Sequence, residues 1–139
     1  MKIISWNIRG LGSKNKRRVI KEILVNKGAD IVILQETKKV EVDRKLVSSI
    51  WGARYKNWTS IPSTGRTARA GGILIMWNTK FVFVIESVVG DFTISIKIRA
   101  VMGRIGGFRE FMDLTMSENG QIFGKKELVS LGYLALGGV

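Results

Sequence analysis

Lys2-Ile3-Ile4-Ser5-Trp6 is a short apolar stretch that breaks at Asn7 and the Gly10-Leu11-Gly12 run, which predicts a strand ending at about Asn7. From Ser13, an expected N-cap, Val19, Ile20, Ile23 and Leu24 recur at helical spacing on one face. Lys14, Lys16, Arg17, Arg18 and Lys21 take the rest, and Lys27-Gly28 supplies a stop. Asp30-Ile31-Val32-Ile33-Leu34 is a continuous apolar run of strand length, as expected for a strand covered on both faces, and it hands over to Gln35-Glu36-Thr37. Strand, helix and strand in this order predict a crossover unit.

A second helix is expected from about Val42 to Trp51, with Leu46, Val47, Ile50 and Trp51 inward, Asp43, Arg44 and Lys45 outward, and Gly52 as its stop. The polar, basic stretch from Ala53 to Ala70, which holds Pro62, reads as an irregular loop. Gly71-Gly72 then opens Ile73–Trp77, and Phe81–Ile85 and Phe92–Ile98 follow as further strands of an antiparallel sheet. In the last of these Phe92, Ile94, Ile96 and Ile98 alternate with Thr93, Ser95 and Lys97. Beyond Arg99 frequent glycines weaken the pattern, leaving short apolar segments around Phe108–Leu114 and Leu128–Leu136.

The length of 139 residues, 45% of them hydrophobic, suits one modest domain with a real core. No apolar run approaches the roughly 18 residues a membrane span needs, and the N-terminus does not read as a signal peptide, so a soluble, unprocessed chain without a membrane partner is expected. With no cysteine, neither a disulfide nor a thiolate metal site is possible. With 23 Lys and Arg against 11 Asp and Glu, the formal charge of +12 favours polyanions, nucleic acid above all. The complete absence of His removes the commonest general base near neutral pH, so chemistry would fall to carboxylates, Lys or Tyr.

Asn7 and Glu36 each follow a strand, and if those strands are neighbours both side chains emerge at one sheet edge. A carboxylate beside an amide oxygen there suits a hard cation. Taken singly, a Glu after a strand and an Asn near a glycine serve equally well as turn residues. The surrounding strings are more specific. Ile3–Leu11 resembles the "SWNxRGL" opening of the endonuclease/exonuclease/phosphatase family, and Asp30–Lys38 resembles its "D-apolar-QETK" strand, in the same order and separation. The likeness runs on through Val42-Asp43-Arg44, Gly71–Trp77 and Phe92–Lys97, and is nearest to endonuclease domains of plant LINE-type retrotransposons.

That resemblance implies a deoxyribonuclease I-like four-layered α/β sandwich of two packed mixed sheets flanked by helices, present here only in part. Residues 1–98 would be the N-terminal half, and 99–139 a degenerate or truncated continuation of the same domain. It implies metal-dependent phosphodiester hydrolysis on DNA, with Glu36 as principal metal ligand, Asn7 as active-site amide in the metal shell, and Mg²⁺ or Mn²⁺ weakly held. Arg9, Lys38, Arg66 and Arg69 are the expected nucleic-acid contacts. For the loop pair a solvated surface is an equal reading, and for Lys16 to Arg18 a solvated helix face serves. A full-length relative would work in the nucleus, so the resemblance implies an intracellular protein, nuclear if it follows the family.

The departures point the other way. Ala100-Val101-Met102-Gly103 resembles the family's "AVYG" with Met102 in the tyrosine's place, and Leu136-Gly137-Gly138-Val139 arrives where "GGDFN" is expected, with Val139 for the aspartate. Phe108–Phe111 resembles a following helix, and Asp113 is expected on it. Asp30, Asp43, Asp91 and Asp113 all read as structural. Three functions remain: a truncated, inactive relative of the nuclease, an active nuclease completed by a partner chain or second copy, and a non-catalytic nucleic-acid-binding domain.

Overall fold

The computed structural model describes residues 2–52, 54–63, 71–90, 93–101, 108–117, 122–126 and 132–136. The first strand, β1 (Lys2–Asn7), leads through helix α1 (Lys14–Lys27) to β2 (Ile31–Gln35), and β1 and β2 pair in parallel with Asn7 opposite Gln35. This is the expected crossover, which only a connection of helix length can make between parallel neighbours. Ser13 caps α1 by accepting from Lys16 N at 3.4 Å, and Gly28 ends it in the left-handed conformation, φ 62°.

Helix α2 (Arg44–Ile50) is capped by Asp43, whose Oδ1 accepts from Leu46 N at 2.8 Å. Strands β3 (Lys56–Ile61) and β4 (Ile73–Asn78) complete one side of the first sheet, and β9 (Gly132–Leu136) lies parallel to β1 on the other, giving the order β3-β4-β2-β1-β9. A second sheet consists of β5 (Val82–Val89), β6 (Thr93–Val101), β7 (Phe108–Ser117) and β8 (Ile122–Lys126) in sequential order, every pair antiparallel.

Two apolar layers hold these elements together, and the twofold period of the strands sorts residues between them. Ile3, Ile31, Ile33, Ile73, Ile75 and Trp77 face the second sheet, where Ile94, Ile96, Ile98, Leu114 and Met116 meet them. Ile4, Trp6, Val32, Leu34, Leu74 and Met76 face the helices, against Ile20, Leu24, Val47, Ile50 and Trp51. Every residue of β2 is buried, as its unbroken apolar run requires. Among the described residues the layers are therefore helix, mixed sheet and antiparallel sheet: an α/β sandwich of two packed sheets with few helices.

Five details differ from the sequence expectation. Ile73–Asn78, expected in one antiparallel sheet with the two strands that follow it, instead pairs with β2 and β3 in the first sheet, while β5 and β6 belong to the second. The stretch expected to be an irregular loop contains β3, which is a half-exposed edge strand of mixed polarity. Its pairing with β4, from Lys56 opposite Asn78 to Ile61 opposite Ile73, is what defines it. Phe108–Phe111 is not helical: it belongs to β7, and Asp113, exposed beside the buried Leu114, sits opposite Lys97. The second sheet is antiparallel throughout rather than mixed. Val19, expected on the inward face of α1, is 40% exposed.

Candidate functional site

Pairing between the first two strands does not stop at Asn7. Ile8 N donates to Gln35 O at 3.1 Å, Gly10 N to Glu36 O at 2.7 Å and Leu11 N to Thr37 O at 3.0 Å. From the other side Thr37 N donates to Gly72 O at 3.2 Å and Lys38 N donates to Gly71 O. Residues 36–38 are thus clamped between the loop after β1 and the start of β4. The clamp holds Arg9, Glu36 and Lys38 at φ 51°, 52° and 54°, three of the four non-glycine residues with positive φ among those described. Left-handed backbone costs side-chain-bearing residues on the order of 1 kcal/mol each, and it persists only where the surroundings fix it.

Gly71 is what lets Glu36 sit there. A Cβ on Gly71 would lie 2.7 Å from Glu36 Cα and 2.9 Å from its Cγ, so only glycine permits this approach of β4. Gly72, at φ 82°, brings the chain against Thr37, whose buried hydroxyl donates to Gly71 O at 3.3 Å. Beneath the edge Gln35 Nε2 donates to Ser5 Oγ at 3.1 Å and so satisfies two buried polar side chains.

The parallel register places Asn7 and Glu36 at adjacent positions of this edge, as the sequence predicted if the two strands were neighbours. Asn7 Oδ1 accepts from Arg9 N at 3.2 Å, an Asx-type turn that sets the loop's direction and leaves the oxygen a second lone pair. Glu36 is half-buried, and among the described residues no group hydrogen-bonds or ion-pairs with its carboxylate. Arg9 and Lys38 are exposed beside it, and the Lys38 stem passes over Gly10, where an added Cβ would be 3.5 Å from Lys38 Cδ. Arg66 and Arg69, the other two expected contacts, lie outside the described residues, as does Met102.

Two basic residues of α1 take a part that composition did not reveal. Lys16 Nζ donates to Arg9 O at 3.3 Å, and Arg17 NH1 donates to Leu11 O at 2.6 Å and Gly12 O at 3.0 Å, so both tie down the loop that carries Arg9. The glycine pair and this tether were missed because nothing local distinguishes a packing glycine from a turn glycine, or a loop-tethering cation from a solvated one.

Of the other carboxylates singled out in the sequence, Asp91 lies outside the described residues and three stand elsewhere. Asp30 Oδ2 accepts from Lys2 N at 2.7 Å at the opposite end of β1, Asp43 caps α2, and Asp113 is on the second sheet. Among the described residues no group of three or more His, Cys, Asp or Glu side chains comes together. β9 ends at this same edge, with Leu136 opposite Trp6. The next residues, 137–139, where the sequence has Val139 at the position expected for an aspartate, lie outside those described.

Comparison with known proteins agrees with this architecture. The D. rerio TDP2 structure complexed with a single-strand DNA product superposes with a TM-score of 0.50 at 19% sequence identity, covering 82% of this chain and 43% of that one. The chain therefore spans less than half the length of that protein, and the likeness is one of fold. Comparison with curated protein sequences gives no significant match. The sequence profile of the endonuclease/exonuclease/phosphatase family matches residues 4–113, which includes both strands of the Asn7–Glu36 edge, and the chain belongs to that family.

Proposed function

We propose that this chain is a nucleic-acid-binding relative of the LINE-type DNA endonucleases that keeps the metal-facing edge of the family but, as an isolated chain, does not complete phosphodiester hydrolysis. The observation that carries this is the state of Glu36: a half-buried carboxylate on left-handed backbone, cleared by Gly71 and unpaired among the described residues, where no group of three or more His, Cys, Asp or Glu side chains forms. Strain retained around an unpartnered charge is what a binding position shows, and a turn residue needs neither.

The family is generally divalent-metal dependent. Glu36 and the free lone pair of Asn7 fit a hard cation that takes one or two protein oxygens and keeps several waters, which means weak retention of Mg²⁺ or Mn²⁺. When bound, such an ion polarises a phosphate oxygen. Asn7 and Glu36 would hold it, while Arg9 and Lys38 would place the phosphate backbone along the edge. Among the described residues no base for the hydrolytic water stands at this edge: the sequence contains no His, and Asp30 and Asp43 are committed to Lys2 N and the start of α2.

A partner chain or second copy that supplies the missing base is the competing reading. Purified protein incubated with supercoiled plasmid in Mg²⁺, with EDTA and Glu36→Ala as controls, separates the two. We expect no nicking by the folded wild-type chain and salt-dependent DNA retention. Metal-dependent nicking that disappears in Glu36→Ala would overturn the proposal and show the edge to be catalytically complete.

A further inference from the structure

At the end of the first sheet opposite Glu36, where β3 begins and β4 ends, cations and aromatic rings from three parts of the chain come together. Lys56 Nζ lies 4.6 Å from the Trp51 ring centroid and Arg44 Cζ 5.4 Å from that of Trp58. Tyr55 takes two cations, with Arg54 Cζ at 5.1 Å and Lys80 Nζ at 4.3 Å from its centroid. Tyr55 is 47% exposed and held at φ 56°, the one left-handed non-glycine residue described away from the Glu36 edge. Its carbonyl accepts from Thr79 N at 2.7 Å, which extends the β3–β4 pairing by one step and fixes the backbone that carries the ring.

Among the described residues no carboxylate pairs with Arg54, Lys56 or Lys80; Asp30, just before β2, is already engaged with Lys2 N. Ring faces attract cations, but they carry no counter-charge. The crowding shows at Lys56, whose ammonium is pushed below its ordinary pKa first by burial and then by the charge of Lys80.

We propose that this pole is a second nucleic-acid contact, at which phosphates of a single strand sit on Arg54, Lys56 and Lys80 while a base packs on Tyr55. Several cations around a half-exposed ring match a polymer of alternating charge and π-face, whereas a lone phosphate or a lipid headgroup would use the charges and not the ring. The site is independent of Glu36 and of hydrolysis. It shares with the function proposed above only the premise that the partner is a nucleic acid.

The test is anisotropy of a labelled oligo-dT of about 15 nucleotides, a length within single-strand site sizes. It compares wild type with Arg54→Gln/Lys56→Gln/Lys80→Gln at the pole, Arg9→Gln/Lys38→Gln at the edge, and a charge-matched control on the helices, Lys14→Gln/Arg18→Gln/Lys45→Gln. The pole variant should lower the slope of log K against log salt by about 2, since each single-strand phosphate contact contributes roughly 0.7, and should weaken binding about tenfold or more at low salt. The control should change both much less. A pole variant indistinguishable from the control overturns the inference and leaves the edge reading standing; loss at the pole alone does the reverse.

Acetylation footprinting of the wild-type chain guards against misfolded variants, and the lowered pKa of Lys56 favours its labelling. Oligo-dT should protect Lys56 and Lys80 from labelling. Equal labelling with and without oligo-dT, or protection by anionic phospholipid vesicles and not by oligo-dT, overturns the proposal.

Discussion

The closest approach at the Glu36 edge is made by two adjacent glycines, and substituting them in series with two others isolates what that approach costs. Gly71 shows no positive φ, so alanine there meets only crowding: its Cβ would be 2.7 Å from Glu36 Cα, a backbone atom that cannot rotate away. Overpacking of this kind costs about 1–3 kcal/mol. Gly72 combines crowding, with a Cβ 2.5 Å from Thr37 Oγ1 and 3.2 Å from Ile61 O, with a φ of 82°. Left-handed backbone adds about 1–2 kcal/mol, for a total of about 2–5 kcal/mol.

Gly52 and Gly12 supply the comparison. Gly52 has φ 84° but open space around it, so Gly52→Ala carries the backbone cost alone, and Gly12 has open space and no positive φ. Gly12→Ala should be neutral or gain about 0.4–1 kcal/mol through the unfolded chain. Urea unfolding followed by tryptophan fluorescence gives the four midpoints at a common slope. The expected order of stability is Gly12→Ala first, Gly52→Ala next and Gly72→Ala last, with Gly71→Ala clearly below wild type. If Gly72→Ala unfolds no earlier than Gly52→Ala, the clamp is looser than described and the argument for a built carboxylate site fails.

Other substitutions check other parts of the chain. Asp43→Ala should cost about 1–2 kcal/mol and Ser13→Ala less, because the Asp43 cap is charged and bonds at 2.8 Å while that of Ser13 spans 3.4 Å; the same urea midpoints measure both. Lys56 makes stability depend on pH. Its folded pKa is lowered, so the unfolded chain binds more protons between that value and 10.5, and stability rises with pH across this window. Lys56→Met should lose that rise, so a wild-type-minus-variant difference that stays flat from neutral pH to 10.5 would show Lys56 unperturbed.

Much of the architecture is legible in the sequence wherever burial imposes a period. The two-sided run Ile31–Leu34 and the alternation Ile94, Ile96, Ile98 were unambiguous because each must satisfy a fixed set of faces. β3 was not legible, since an edge strand with residues such as Lys56, Asn57 and Ser60 has no face to alternate for and exists through its partner β4. β7 was misread because a weak family likeness over Phe108–Phe111 displaced the alternation of Asp113, Leu114, Thr115 and Met116 just beyond.

Asn7 and Glu36 could be found because strand ends in parallel register converge on one edge, whereas the cluster at the other end joins Tyr55 to Lys80 and Trp58 to Arg44, which no local pattern links.

Glu36 can be tested for function without any nuclease assay. A turn residue at φ 52° would be better as asparagine, which tolerates left-handed backbone, so a glutamate there forgoes stability. If the side chain serves binding, its removal loses no hydrogen bond or ion pair among the described residues, and Glu36→Asn should be as stable as wild type or more so by up to about 1 kcal/mol. Glu22→Asn, on the exposed side of α1, supplies the contrast: it should lose about 0.5 kcal/mol through helix propensity. Stability lost at position 36 as readily as at position 22 would mean that the carboxylate is part of the fold's own support, and the strain at this edge would then need no ligand to explain it.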